Sequence, residues 1–239
     1  MNIKTKKITR KKSKTAPKIK KKIQAYVIEY LSFYFVITGF KSKSTNRKTG
    51  GMIQTYLLDK KTLTSEPKVF GAKCSDCPMV SKCYVNHDKM SVRRTVKKLL
   101  NGEKTSYSFS TLEEVLPLLK GERVRLGTYG DPSALPLQDM KKICETSDGW
   151  TGYTHFFKEI DSDYSKYLMA SVESLSSELL AHALGYLTFR VLLKEDETLE
   201  VSKQSIQCLN ITINRQCTDC LLCSGTSGRG KKSIYIEEH

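Results

Sequence analysis

Apolar positions along this chain switch between strand-like and helix-like spacing, and the switches mark out its elements. The run Tyr26–Phe40, interrupted by Glu29, reads as one buried strand or helix. It falls short of the roughly 20 apolar residues that cross a bilayer. A polar, Gly-containing turn follows, and then Met52–Leu58 has the character of a strand. Residues 59–73 show no period and read as loop. Ser91–Asn101 places Val92, Val96, Leu99 and Leu100 at helical spacing. Thr111–Leu119 predicts another helix, capped by Ser110 or Thr111, with Glu113 and Glu114 in its first turn.

From Arg123 onward the pattern alternates. Arg123–Thr128, Thr151–Phe156, Lys166–Val172 and Tyr186–Leu193 read as strands. Pro136–Cys144 and Ser176–Ala183 read as helices, the second stopped by Gly185. Strands and helices at this interval imply parallel βαβ units with right-handed crossovers. A complete eight-unit barrel takes about 250 residues. This chain has 239, of which residues 23–239 read as a single α/β domain, so the expectation is a partial or short (β/α) barrel. Chemistry in such sheets collects at the carboxyl ends of strands. Those ends carry Gly127–Pro132, His155 and Glu173-Ser174.

Charge adds a second feature. The formal net charge is +15, and much of it comes from residues 1–22. There Lys4, Lys6, Lys7, Arg10, Lys11, Lys12, Lys14, Lys18, Lys20, Lys21 and Lys22 occur without an acid. Such a run reads as a disordered basic tail with a sequence-independent attraction to phosphate, so nucleic acid is the expected partner. The charged region is too long for a signal peptide, and no small-residue cleavage site follows it. The expected compartment is therefore the cytoplasm, with no membrane partner. There, closely spaced cysteines are more often metal ligands than disulfides.

The chain has eight cysteines, and six fall into two clusters, Cys74-x2-Cys77-x5-Cys83 and Cys217-x2-Cys220-x2-Cys223. Thiolates two residues apart can turn onto one centre, as metal and iron–sulfur sites require. Each cluster offers three thiolates. For the first, a [4Fe–4S] cluster is favoured over zinc. The second resembles the opening of a bacterial ferredoxin run, with Ser227 where a fourth cysteine would stand. Cys208 supplies an alternative fourth thiolate, and zinc accepts such a set readily. A single knot or bridged cluster using all six clustered thiols is also open. Cys144, at an apolar helix position, reads as a buried structural thiol. Asp131 is either a ligand for a cofactor amino group or a turn aspartate before Pro132. His155 is a general acid/base candidate or a satisfied core histidine, and Glu173 is a candidate for the pocket rim and a partner for Arg125.

The order Cys74, Cys77, Cys83-Tyr84, then a strand, then Gly130-Asp131-Pro132 resembles the radical-SAM enzymes. In that superfamily three cysteines hold a [4Fe–4S] cluster, and a Gly-Gly-Glu-Pro type turn contacts S-adenosylmethionine. The spacing here, Cx2Cx5C, differs from the usual Cx3Cx2C, and Asp131 stands for Glu. The resemblance implies a radical-SAM-like barrel, a catalytic cluster at Cys74, Cys77 and Cys83, and a cofactor pocket at Gly130, Asp131 and Pro132. Glu173 and His155, at strand ends on the same side, are then expected to face the substrate. The chain further resembles a family of proteins encoded by phages and plasmids. That likeness rests on Thr38-Gly39, Asn46 to Gln54, Cys74 to Val85, Val124 to Pro132, Thr151–His155, Leu168–Val172, Cys217–Gly225 and His239. It implies a phage or plasmid setting. A zinc-dependent, non-catalytic nucleic-acid-binding protein for replication is the alternative reading.

Overall fold

β-Branched and aromatic residues recur in short runs, and these pair into two sheets with helices packed on them, a mixed α/β fold. The computed structural model describes residues 23–65, 68–83, 85, 90–192 and 205–237. The basic tail at residues 1–22, Tyr84 and His239 lie outside these.

The first sheet contains β1 (Ala25–Glu29), β2 (Phe33–Thr38), β3 (Ile53–Asp59), β4 (Tyr107–Phe109), β5 (Arg123–Tyr129) and β6 (Gly149–Thr151), in the order β4-β1-β2-β3-β5-β6. The apolar run Tyr26–Phe40 is thus not one element. It folds back as the antiparallel hairpin β1–β2, with Tyr30 N–H donating to Phe33 O across the turn and Leu31 exposed at its tip. Both faces of β1 are covered. Tyr26 and Ile28 enter one core with Phe35, Ile37, Leu57 and Val124, while Ala25 and Val27 enter another with Leu58, Phe70 and Val96. A strand buried on two faces shows no polar alternation, which is why the run reads as continuous.

The strand β3 begins the parallel part, pairing with β5, which pairs with β6. The register shifts between Gln54 and Tyr56. There the buried Thr55 Oγ1 donates to Arg125 O and accepts from Gly127 N–H, so the irregular rungs are bridged by a side chain.

The second sheet contains β7 (Tyr153–Thr154), β8 (Met169–Val172), β9 (Thr188–Leu192), β10 (Ser205–Gln207) and β11 (Ser233–Glu237). Its order is β10-β11-β9-β8-β7, and every pair is parallel. The expected strand Thr151–Phe156 is split between the sheets. β6 and β7 are consecutive, separated only by Gly152, whose N–H donates to Cys223 O and whose carbonyl accepts from Met169 N–H. A Cβ at Gly152 would sit 2.7 Å from Leu168 Cδ2, so the handover between sheets needs glycine. The expected strand from Lys166 starts only at Met169, because Ser162–Lys166 forms a 3-10 turn capped by Asp161.

Helices are α1 (Lys60–Thr64), α2 (Ser91–Leu100), α3 (Leu112–Val115), α4 (Leu137–Thr146), α5 (Leu175–Ala183), α6 (Leu209–Ile213) and α7 (Cys217–Cys220). The expected loop at 59–73 contains α1, which Asp59 caps by accepting from Thr62 N–H. The expected helix Thr111–Leu119 is shorter. Thr111 and Glu114 form a reciprocal capping box, and Pro117 then turns Leu116–Leu119 into a 3-10 segment. Cys144 is fully buried in the first core. In the second sheet Glu178 on α5 is fully buried beside Arg190 of β9, 2% exposed, at 3.2 Å. Among the described residues no helix is long and apolar enough to cross a membrane.

Candidate metal and cofactor site

The loop carrying Cys74, Cys77 and Cys83 folds back over the carboxyl ends of β3 and β5. Ala72 N–H donates to Leu57 O, Gly71 bridges Leu58, and Asp131 N–H donates to Ala72 O. The loop is two successive 3-10 turns, Cys74–Asp76 and Val80–Lys82. Cys77 and Cys83 are the extended residues that close each turn. Lys73, with a left-handed φ of 62°, starts the first turn and is tied down by its Nζ donating to Ser133 Oγ at 3.1 Å.

Glycine is required where this loop meets the turn after β5. A Cβ on Gly71 would lie 2.6 Å from Cys74 Sγ, and one on Gly130 (φ 81°) would lie 2.3 Å from Leu57 O. The first side chain would displace a thiol, the second a backbone carbonyl. Gly130 and Cys74 are thus packed against each other. Burial pushes the Cys74 thiol up to about 12, opposed by the Gly130 N–H and reinforced by Asp131, Cys77 and Cys83. Cys77 and Cys83 thus both lie within electrostatic reach of Cys74.

Asp131 joins the next strand to the same edge. One carboxylate oxygen accepts from Ser133 N–H at 2.9 Å and the other from His155 N–H at 3.0 Å. Asp131 is thus both a turn aspartate and a link to the end of β7. His155 Nε2 lies 3.2 Å from Glu173 Oε1, just past the end of β8. Burial disfavours the charged imidazole, but the adjoining Cys77 thiol and Glu173 carboxylate outweigh it and push its pKa up to about 10. Despite this contact, Glu173 Oε1 is buried without an aligned hydrogen-bond donor. It lies beside the His155 ring, which also adjoins the Cys77 thiol. Glu173, expected beside Arg125, faces His155. The Arg125 guanidinium instead lies over the Tyr153 ring at 5.8 Å.

The second cysteine group is elsewhere. Cys217 N–H donates to Lys48 O and Thr218 N–H to Thr49 O, ahead of the start of β3, and Asp219 pairs with Arg123 at the start of β5. The two groups therefore occupy opposite ends of the same parallel strands, and a single site using all six clustered thiols is excluded by their placement. All eight cysteines are free thiols.

Among the described residues no group of three or more His, Cys, Asp or Glu side chains is arranged to hold a single metal ion. A tetrahedral zinc site needs sulfurs within about 4 Å of one another, given Zn–S bonds of about 2.3 Å. An iron–sulfur cluster spreads its thiolates over separate irons and tolerates wider spacing. The Cys74, Cys77 and Cys83 thiols sit on one short loop, and Cys77 and Cys83 both act electrostatically on Cys74. The Tyr129 hydroxyl, which accepts from Phe70 N–H, and the Lys73 ammonium, stacked on Phe156, complete this edge. Neither role shows in the residue pattern. Tyr129 falls in the turn expected after Arg123–Thr128, and Lys73 is one of many lysines.

Comparison of the chain with protein-family models, with curated proteins and with solved structures gives no match.

Proposed function

We propose that this chain is an iron–sulfur enzyme of radical-SAM type, built on a partial (β/α) barrel, with its chemistry at the carboxyl edge of the parallel strands. The observation that carries the proposal is convergence at that edge. The thiol loop follows β3, Gly130-Asp131-Pro132 follows β5, His155 follows β7 and Glu173 follows β8. Direct contacts link each of these to the next. The order of adjacent parallel strands follows the chain through β3, β5, β6, then β7, β8 and β9, as a partial barrel would have it.

In this reading Cys74, Cys77 and Cys83 hold a [4Fe–4S] cluster. When bound, such a cluster supplies one electron to cleave the sulfonium of S-adenosylmethionine. Three thiolates leave one position open for that cofactor. Gly130 admits backbone close to it, and Asp131 fixes the turn while holding the His155 backbone. The unsatisfied Glu173 Oε1 accepts a hydrogen bond from a hydroxyl or amine of cofactor or substrate, and His155 orients that carboxylate.

The test is anaerobic reconstitution with iron and sulfide. The expected result is a brown protein that binds S-adenosylmethionine by calorimetry and releases 5′-deoxyadenosine on reduction, with colour lost in Cys74→Ser. A colourless protein retaining only zinc would refute it and leave the non-catalytic zinc reading. We further propose that nucleic acid, in a phage or plasmid setting, is the partner. The cations at residues 1–22 supply the attraction to phosphate.

A further inference from the structure

A cleft of about 370 Å³ opens at the amino end of β6, away from the Cys74 loop. Small-molecule sites usually span about 300–1,000 Å³, so this one has room for a single compact ligand. Its lining includes Asp148, Trp150, Ser227 and Arg229. Asp148 and Trp150 flank Gly149 where the chain enters the strand. Asp148 is set in place by its N–H donating to Glu122 O at 2.8 Å. Trp150 is half-buried, and its Nε1–H donates to Tyr167 O at 2.9 Å, which fixes the ring.

Arg229 reaches the cleft from residues 224–232, the sequence SGTSGRGKK. This segment is a folded turn held at many points. Thr226 N–H donates to Ser165 O and Ser227 N–H to Lys166 O. Ser224 Oγ donates to Leu221 O and accepts from Gly230 N–H, while Lys231 Nζ donates to Thr226 O at 3.3 Å. A Cβ on Gly228 would lie 2.1 Å from Ser224 Oγ, and one on Gly230 would lie 2.0 Å from Leu222 O. Arg229 therefore stands between two positions closed to side chains, and it is exposed. Among the described residues neither Arg229 nor Asp148 has an ion pair or a side-chain hydrogen bond, although both line the same cleft. A tightly built turn thus presents a guanidinium without a counter-ion, the arrangement that phosphate recognition uses.

We propose that this cleft binds a guanine nucleotide, with its base on Trp150, its Watson–Crick edge on Asp148 and its phosphate on Arg229. An indole stacks on any base, so Trp150 supplies affinity without choosing among them. Asp148 supplies the choice. An ionised carboxylate only accepts hydrogen bonds. Guanine alone offers it two adjacent donors, N1–H and the N2 amino group. Adenine and cytosine place an acceptor beside their amino group, and uracil flanks its one N–H with two carbonyls. The same chemistry occurs in a free nucleotide and in a guanine of a single strand. The cleft lies at the opposite end of the parallel strands from Cys74, and its occupancy does not require a cluster there.

Trp150 is the single tryptophan of the chain, so its fluorescence reports on this cleft alone. The full chain is titrated with GMP, AMP and guanosine. Saturable quenching by GMP is expected, at concentrations at least about tenfold below those needed for AMP or guanosine. Arg229→Ala alters an exposed side chain and should bind GMP no better than guanosine. Asp148→Asn turns one acceptor into a donor, so it should weaken GMP about tenfold and favour xanthosine monophosphate, whose base carries an oxygen in place of the amino group. Short single strands with one guanine or with none separate the two sources. Guanine-dependent quenching at lower concentration than GMP assigns the site to a nucleic-acid strand, and the reverse order assigns it to a free nucleotide. Quenching that never saturates, equal affinity for GMP and AMP, or an unchanged Arg229→Ala would overturn the proposal.

Discussion

Replacing Glu178 tests the reasoning about the second sheet most directly. Its carboxylate is fully buried on α5 and is met by three side chains from two strands. Thr188 Oγ1 donates at 3.3 Å, Ser205 Oγ at 2.6 Å and Arg190 Nη1 at 3.2 Å. The group therefore ties α5 to β9 and to β10, a three-residue strand at the sheet edge that pairs with β11. Glu178→Ala removes the carboxylate that faces a guanidinium only 2% exposed. Breaking a buried pair from one side destabilises by about 3–5 kcal/mol, because the remaining charge keeps its desolvation cost. For a chain of this size that is a fall in Tm of about 6–20 °C, at about 2–4 °C per kcal/mol. The double change Glu178→Leu/Arg190→Met should recover much of the loss, since an apolar pair of similar volume is often neutral. Urea unfolding of the parent, Glu178→Leu, Arg190→Met and the double variant gives the coupling. A Glu178→Ala midpoint within about 0.5 kcal/mol of the parent, or single losses that simply add, would refute the idea that this pair organises the sheet.

Other positions give narrower tests. Thr55→Val keeps the shape but removes the oxygen that accepts from Gly127 N–H, and should lower stability by about 1–3 kcal/mol in urea unfolding. Gly130→Ala forces a Cβ into Leu57 O at a positive φ, and should lower stability by about 2 kcal/mol or more and reduce iron retained after reconstitution. An unchanged midpoint would mean the turn after β5 is looser than described. Asp131→Asn offers one carbonyl oxygen to the Ser133 and His155 N–H groups, so one loses its acceptor, at about 1–3 kcal/mol by the same unfolding measurement. Deleting residues 1–22 should flatten the slope of log affinity against log salt for single-stranded DNA by up to about 0.7 for each phosphate the tail neutralises, and an unchanged slope would remove the tail from the interface.

What could be read from the sequence depends on how local each cause is. The helix α2 was legible because Val92 and Val96 repeat on one face, and both are buried. The end of Thr111–Leu119 was not, because Pro117 permits a first turn while tightening the second. The hairpin hidden in Tyr26–Phe40 had no polar alternation to expose it, since cores lie on both of its faces. The break at Gly152 depends on Leu168 and Cys223, which arrive from distant segments. The same limit applies at the site. The thiols, the Gly130 turn, His155 and Glu173 stood out by residue type at strand ends. The pairing of Glu173 with His155 instead of Arg125 depends on which strands face each other, and no spacing encodes that.

The spacing of the first cysteine group gains a physical explanation from its backbone. Two residues between Cys74 and Cys77 span one 3-10 turn, closed by Cys77 N–H donating to Cys74 O. Five residues between Cys77 and Cys83 leave room for a second turn of the same kind, which opens with Val80 N–H donating to Cys77 O and ends at Cys83. Each thiol after the first is thus offered from an extended residue that comes after a completed turn. The longer gap does not remove Cys83 from the group, because a turn consumes residues without consuming distance. The second turn keeps Cys83 within electrostatic reach of both Cys74 and Tyr129. A chain with the same three cysteines but a proline-stiffened extended link in place of Val80–Lys82 would keep the motif and carry Cys83 away from Cys74.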